Sequence, residues 1–123
     1  MARRRIDPEE GGAALESWRA GRADAAATRL AVRFALEELA ARSPGRSVEV
    51  RVPPDGVVQA VAGPRHTRGT PPNVVEVDPR TWLALATGDL AWDEALAQGR
   101  VRASGSRADL SDLLPLFPGN LPR

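Results

Sequence analysis

Arg65-His66-Thr67-Arg68 is the densest cluster of chemically versatile side chains in this sequence. Two guanidiniums, an imidazole and a hydroxyl sit in a loop rich in glycine and proline, GPRHTRGTPP, from Gly63 to Pro72. A guanidinium presents a planar fork of donors, so paired arginines are suited to gripping a phosphate or a carboxylate. Loops held by rigid scaffolds often carry function. Arg65, His66 and Arg68 are therefore the candidate anion or head-group residues. The competing reading is a solvated connector whose arginines pair with nearby acids, and sequence leaves both open. A role for His66 as general base is less favoured, because neither a nucleophile nor an orienting acid is identifiable beside it.

Other chemistry is hard to find. The chain has no G-x-S-x-G elbow, no phosphate-binding glycine loop and no H-E-x-x-H. It has no cysteine, which removes thiolate nucleophiles, Cys-based metal sites and disulfides, and its one histidine removes His-pair metal sites. Asp93-Glu94 cannot act as a facing acid/base pair, because neighbours on a helix point apart. These two acids instead suit a helix start, where the dipole is positive. The expectation is a protein with no catalytic residues, no metal and no cofactor, although an accessory role to an enzyme stays open.

The second candidate site is apolar. Leu30, Phe34, Trp82, Leu85, Leu96, Leu110, Leu113, Leu114 and Phe117 are expected to face inward from helices. Aliphatic residues at helical spacing look the same around a ligand cavity as in a packed core. Trp82 and Trp92 are amphipathic and suit a cavity rim or an interface.

The elements that must position these residues are legible. Asp7-Pro8-Glu9-Glu10 opens a helix with a capping aspartate, proline in the first turn and acids beside the dipole, running to about Ala20 and stopping at Gly21. Asp24 caps a longer helix to about Ala41, with an apolar stripe through Leu30, Val32, Phe34, Leu36 and Leu39, while Arg29, Arg33, Glu37 and Arg42 can stay in water. Ser47 to Val52 alternates as a strand, Pro53-Pro54-Asp55-Gly56 turns, and Val57 to Ala62 returns. Val74 to Val77 is a third strand. Asp78-Pro79 caps a helix carrying Trp82, Leu85 and Ala86 on one face, and Gly88 ends it. Asp93 to Gln98 is a second short helix closed by Gly99, and Val101 to Ser104 is a strand. Ala108 to Leu114 is expected to be a short helix ended by Pro115. Strands that do not alternate with helices in a βαβ rhythm predict an α+β fold: a small, mostly antiparallel sheet of four to five strands with helices on one face.

The stretch TWLALATGDLAWDEALAQGRVRASG, together with the order of its elements, resembles the lipid-binding domain of the sterol carrier protein (type 2) family. The resemblance lies in a helix ending Leu-x-x-Thr-Gly (Leu83 to Gly88), a short second helix, a Gln-Gly-basic turn (Gln98-Gly99-Arg100) and a strand ending at Gly105. It is closest to the short stand-alone bacterial members. It implies a lipid tunnel between sheet and helices, and binding of a fatty acid, fatty acyl thioester or isoprenoid without covalent chemistry. Trp92 stands where the family often has proline, which predicts an exposed ring. The Asp7 to Ala20 helix is an addition in front of the family's first helix, placed to cover a tunnel mouth or a dimer surface.

Composition sets the remaining expectations. A chain of 123 residues suits one domain, from residue 1 to 123, with a core of its own. Seventeen arginines, with no lysine, nearly balance sixteen acids, so the net charge of +1 supplies no phosphate-tracking stripe and nucleic acid is not an expected partner. No apolar run is long enough to span a bilayer, and Arg3-Arg4-Arg5 is followed by acids rather than an apolar signal region. A cytoplasmic address is expected, with a hydrophobic small molecule or lipid as partner. The alternative is the same fold without a cavity, serving as a protein-interaction or homodimerisation module.

Overall fold

The computed structural model describes residues 5–63 and 73–118. Helix α1 (Pro8–Arg19) is capped by Asp7, whose carboxylate accepts from the Glu9 amide at 3.2 Å. Helix α2 (Ala25–Arg42) is capped in the same way by Asp24, accepting from Ala27 at 2.8 Å. Strands β1 (Val48–Val52), β2 (Gly56–Ala60) and β3 (Val74–Val77) follow. After them come helices α3 (Pro79–Thr87) and α4 (Trp92–Ala97) and strand β4 (Val101–Ser104). Gly88 takes the left-handed conformation that closes α3, with φ 88°.

The sheet order is β2-β1-β3-β4. β1 pairs antiparallel with β2 and β3 antiparallel with β4, while the central β1–β3 pair is parallel. Registers Val50↔Val58, Val50↔Val75 and Val75↔Ala103 place one small apolar row across all four strands. The neighbouring row, Val57, Arg51, Glu76 and Arg102, points to the other face. Alternation thus makes one face apolar and the other charged, as Ser47 to Val52 predicted. The fold is α+β, as expected.

α2 supplies most of the cover. Val32, Leu36 and Leu39 are at most 2% exposed and share the core with Val48, Val50, Val52 and Val75. Trp82 from α3 is fully buried and its indole N–H donates to the Val32 carbonyl at 3.3 Å. That bond ties α3 to α2 and satisfies the ring's polar atom.

Four expectations are corrected. Residues 108–114 are irregular, with a turn at 111–113, and not a helix. The Asp109 carboxylate takes the Ser111 amide at 2.9 Å and Leu110 accepts from Leu113, so local side-chain bonding wins over a segment that Pro115 already limits. Trp92, expected at the surface, is 6% exposed because it and Ala95 form the inward face of α4. The same choice of face leaves Leu96, expected inward, at the edge of the apolar arc and 40% exposed. The returning strand also ends at Ala60, two residues early, where Val61 takes φ 71° and leaves the ladder.

Candidate functional site

α2 presents Arg33, Leu36, Glu37 and Ala40 along one line, at i, i+3, i+4 and i+7. This line faces the end of the sheet at Gly56, Val57 and Val58, and a groove of about 430 Å³ lies between them. Buried Leu36 and Ala40 and half-buried Val58 supply its apolar surface. The approach is close because Gly56 has no side chain: an added Cβ would meet Leu36 Cδ1 at 3.0 Å and Arg33 Cγ at 3.5 Å.

A third wall comes from the segment before α1. One Glu37 oxygen, Oε1, accepts from the backbone amides of both Arg5 and Ile6, at 3.0 and 3.1 Å. Asp55, at the hairpin turn, faces the Arg29 guanidinium at 3.8 Å. Both acids bordering the groove are thus engaged. The Arg33 guanidinium, exposed at the rim, has no hydrogen-bond or ion-pair partner among the described residues. Arg5 borders the same space.

A second groove, of about 330 Å³, lies where α3 and α4 meet the segment after β4, bordered by Leu85, Leu90, Trp92, Asp93, Ser111 and Leu114. A third, of about 270 Å³, is polar and lies by Glu76, Asp78, Arg100 and Arg102. There Thr81 Oγ1 donates to Asp78 at 2.6 Å and accepts from Arg100 Nε at 3.1 Å. Burial alone would raise the Asp78 pKa. The Thr81 hydroxyl and amide and the Arg100 charge outweigh it and hold the carboxyl below its ordinary value.

The structure divides the nine apolar candidates among different places. Trp82, Leu85 and Leu110 are at most 1% exposed in the main core, and Leu30, Leu113 and Leu114 are half-buried against it. Phe34 lies on the opposite side of α2 from Val32 and Leu36, two residues or about 200° away. It is buried under Gly11 of α1 and stacked on Phe117, so it faces away from the sheet. Leu85 and Leu114 alone border one of these grooves, the second. Arg65, His66 and Arg68 lie outside the described residues. No group of three His, Asp or Glu side chains that could hold a metal occurs among the described residues.

The groove beside α2 escaped sequence reading. Its helical line was visible, but Arg33 and Glu37 read as a solvated face. Nothing in the sequence tells that Glu37 holds the amides of residues 5 and 6.

The family model described as a bacterial SCP ortholog matches residues 24–116 of the 123. The chain belongs to this bacterial sterol carrier protein-like family. The match begins at the cap of α2 and ends one residue before Phe117, so α1 and the segment that walls the groove lie outside it. No curated protein matches the chain. No helix among the described residues is long and apolar enough to cross a membrane.

Proposed function

We propose that this protein binds and carries a hydrophobic molecule, such as a fatty acid, fatty acyl thioester or isoprenoid, without catalysing a reaction on it, in the cytoplasm. Membership of the SCP ortholog family supports lipid carriage in general. The observation that carries the reading here is the groove between α2 and β2, where Leu36, Ala40 and Val58 supply apolar surface alongside the charged Arg5, Arg33, Glu37 and Asp55. An acyl chain laid on that surface gains about 0.8 kcal/mol for each methylene removed from water. None of the nine apolar candidates borders this groove, so it differs in place from the tunnel the resemblance implies. Titration with a fluorescent fatty acid tests the proposal. Saturable micromolar binding that a bulkier side chain at half-buried Val58 weakens (Val58→Trp) is the expected result, and absence of binding to the unaltered chain overturns it.

One observation favours the alternative of an interaction module. Val57, on strand β2 at the end of the sheet, is 55% exposed, and Leu96 is 40% exposed. Native mass spectrometry of protein purified from its own host separates the two readings. A retained lipid on a monomer supports carriage, and a lipid-free dimer supports the module.

A further inference from the structure

We infer that Arg33, with Arg5 from the segment outside the family match, recognises the carboxylate of a single-chain amphiphile lying in the α2–β2 groove, and so sets a preference for anionic over neutral ligands. The inference rests on the lipid-carriage reading and adds to it the head-group chemistry and the residues responsible.

Charge accounting in the groove carries the argument. Four charged side chains border it: Arg5, Arg33, Glu37 and Asp55. Formally they cancel, but they are not equally free. Glu37 directs one carboxylate oxygen at two backbone amides, and Asp55 faces Arg29 from outside the groove. The two acids are thus engaged while Arg33 keeps an unpartnered guanidinium among the described residues. Counting Arg29, three cations meet two anions around one apolar surface.

Geometry places the free charge at the end of that surface. Arg33 and Ala40 are two helical turns apart on one line of α2, roughly 10 Å along the axis, with Leu36 between them. A chain running from Ala40 past Leu36 towards Arg33 would lie against Ala40, Leu36 and Val58, pass beside Glu37, and bring its head to the guanidinium. The Arg33 stem lies over Gly56, which fixes the side chain's root and leaves its planar fork at the rim. A carboxylate suits that fork because two parallel N–H···O bonds can form. Glu37 has a positioning part. By holding the Arg5 and Ile6 amides it keeps the amino-terminal segment, and with it the second guanidinium, beside the groove.

The test compares cis-parinaric acid with its methyl ester, two probes with the same chain and different head groups, on the full chain at neutral pH. The unaltered protein should bind the acid about tenfold or more tighter than the ester, and Arg33→Gln should remove that preference by weakening the acid alone. Arg5→Gln should weaken the acid to a lesser degree. Equal binding of acid and ester by the unaltered protein, or a loss in Arg33→Gln shared equally by both, overturns the head-group inference while lipid carriage stands. Binding of neither probe overturns both.

Discussion

Phe34 on α2 and Phe117 near the end of the chain stack with ring centroids 5.4 Å apart and planes 18° from parallel. Three further contacts hold the second ring in place. The Phe117 amide donates to the Ala86 carbonyl of α3 at 2.9 Å, Arg19 of α1 donates to the Phe117 carbonyl at 2.7 Å, and the Arg42 guanidinium lies 5.7 Å from the ring centroid. One residue therefore clasps α1, α2 and α3 from outside the sheet. Phe34 turns away from the sheet, while Phe117 also packs against the main core, so the stacked pair extends that core beneath α1.

Phe117→Ala should cost about 2–3 kcal/mol, since it removes half-buried aromatic area, the stack and the cation–π contact together. Urea denaturation measures the loss. Phe117→Leu should recover part of it, because leucine restores apolar area but not the ring interactions. Equal stability of the alanine and leucine variants would show that burial at this position is unimportant.

Gly11 and Gly12 are adjacent in α1 and should respond oppositely to alanine. A Cβ on Gly11 would overlap Cγ and Cδ1 of Phe34, and that ring is held by Phe117 and cannot simply swing aside. Gly11→Ala should lose about 1–2 kcal/mol as overpacking exceeds the gain in helix propensity. Nothing lies within 4 Å of a Cβ on Gly12, so Gly12→Ala should gain up to about 1 kcal/mol. Thermal melts of the two variants would show the sign change, and Gly11→Ala should be milder when Phe34→Ala accompanies it.

Local signals were the most legible part of this chain. Asp7, Asp24 and Asp78 each cap the helix expected of them, because a cap is a bond between residues two or three apart. Alternation in Ser47 to Val52 revealed both faces of β1. What sequence concealed was the choice of partner. Phe34 fits the same apolar stripe as Leu36 by type, yet α1 and Phe117 claim it from the far side. Leu96 and Trp92 exchanged their expected places because a six-residue helix buries only a narrow arc, and side-chain type does not reveal its centre. The groove depends on Glu37 meeting residues 5 and 6 through space, which no spacing rule encodes.

Asp78 should give α3 a pH-dependent contribution to stability. Its carboxylate accepts from the Thr81 amide at 3.1 Å and from the Thr81 hydroxyl at 2.6 Å. Its folded pKa is depressed because those bonds and Arg100 outweigh desolvation. A depressed acid stabilises the fold above its unfolded pKa of about 3.9, and that stability is lost as pH falls through the folded value. Asp78→Ala should therefore cost about 1 kcal/mol near neutrality. The gap to the unaltered protein should narrow steadily below about pH 4. Urea midpoints taken across that range would test it, and a gap independent of pH would remove the carboxylate from the explanation.

Asn73 should be the most sensitive polar position of the sheet. It is 3% exposed, and its amide joins three parts of the chain. Nδ2 donates to the Ser47 carbonyl before β1 at 2.7 Å, Oδ1 accepts from the Arg107 amide after β4 at 2.8 Å, and its own carbonyl accepts from Glu49 of β1 at 2.9 Å. Asn73→Ala keeps the last bond and strands the first two partners. Each stranded group costs about 1–3 kcal/mol where water cannot replace the lost partner. A loss of about 2–4 kcal/mol is expected, at the lower end if water reaches the Arg107 amide. Asn73→Asp separates the two bonds, because a carboxylate still accepts from Arg107 but cannot donate to Ser47. It should destabilise the protein at neutral pH and recover as acid protonates the new side chain. Hydrogen exchange at the Arg107 amide is the direct readout. Its protection should fall in Asn73→Ala and persist in Asn73→Asp, and loss of protection in both would mean that the clasp depends on the Ser47 bond alone.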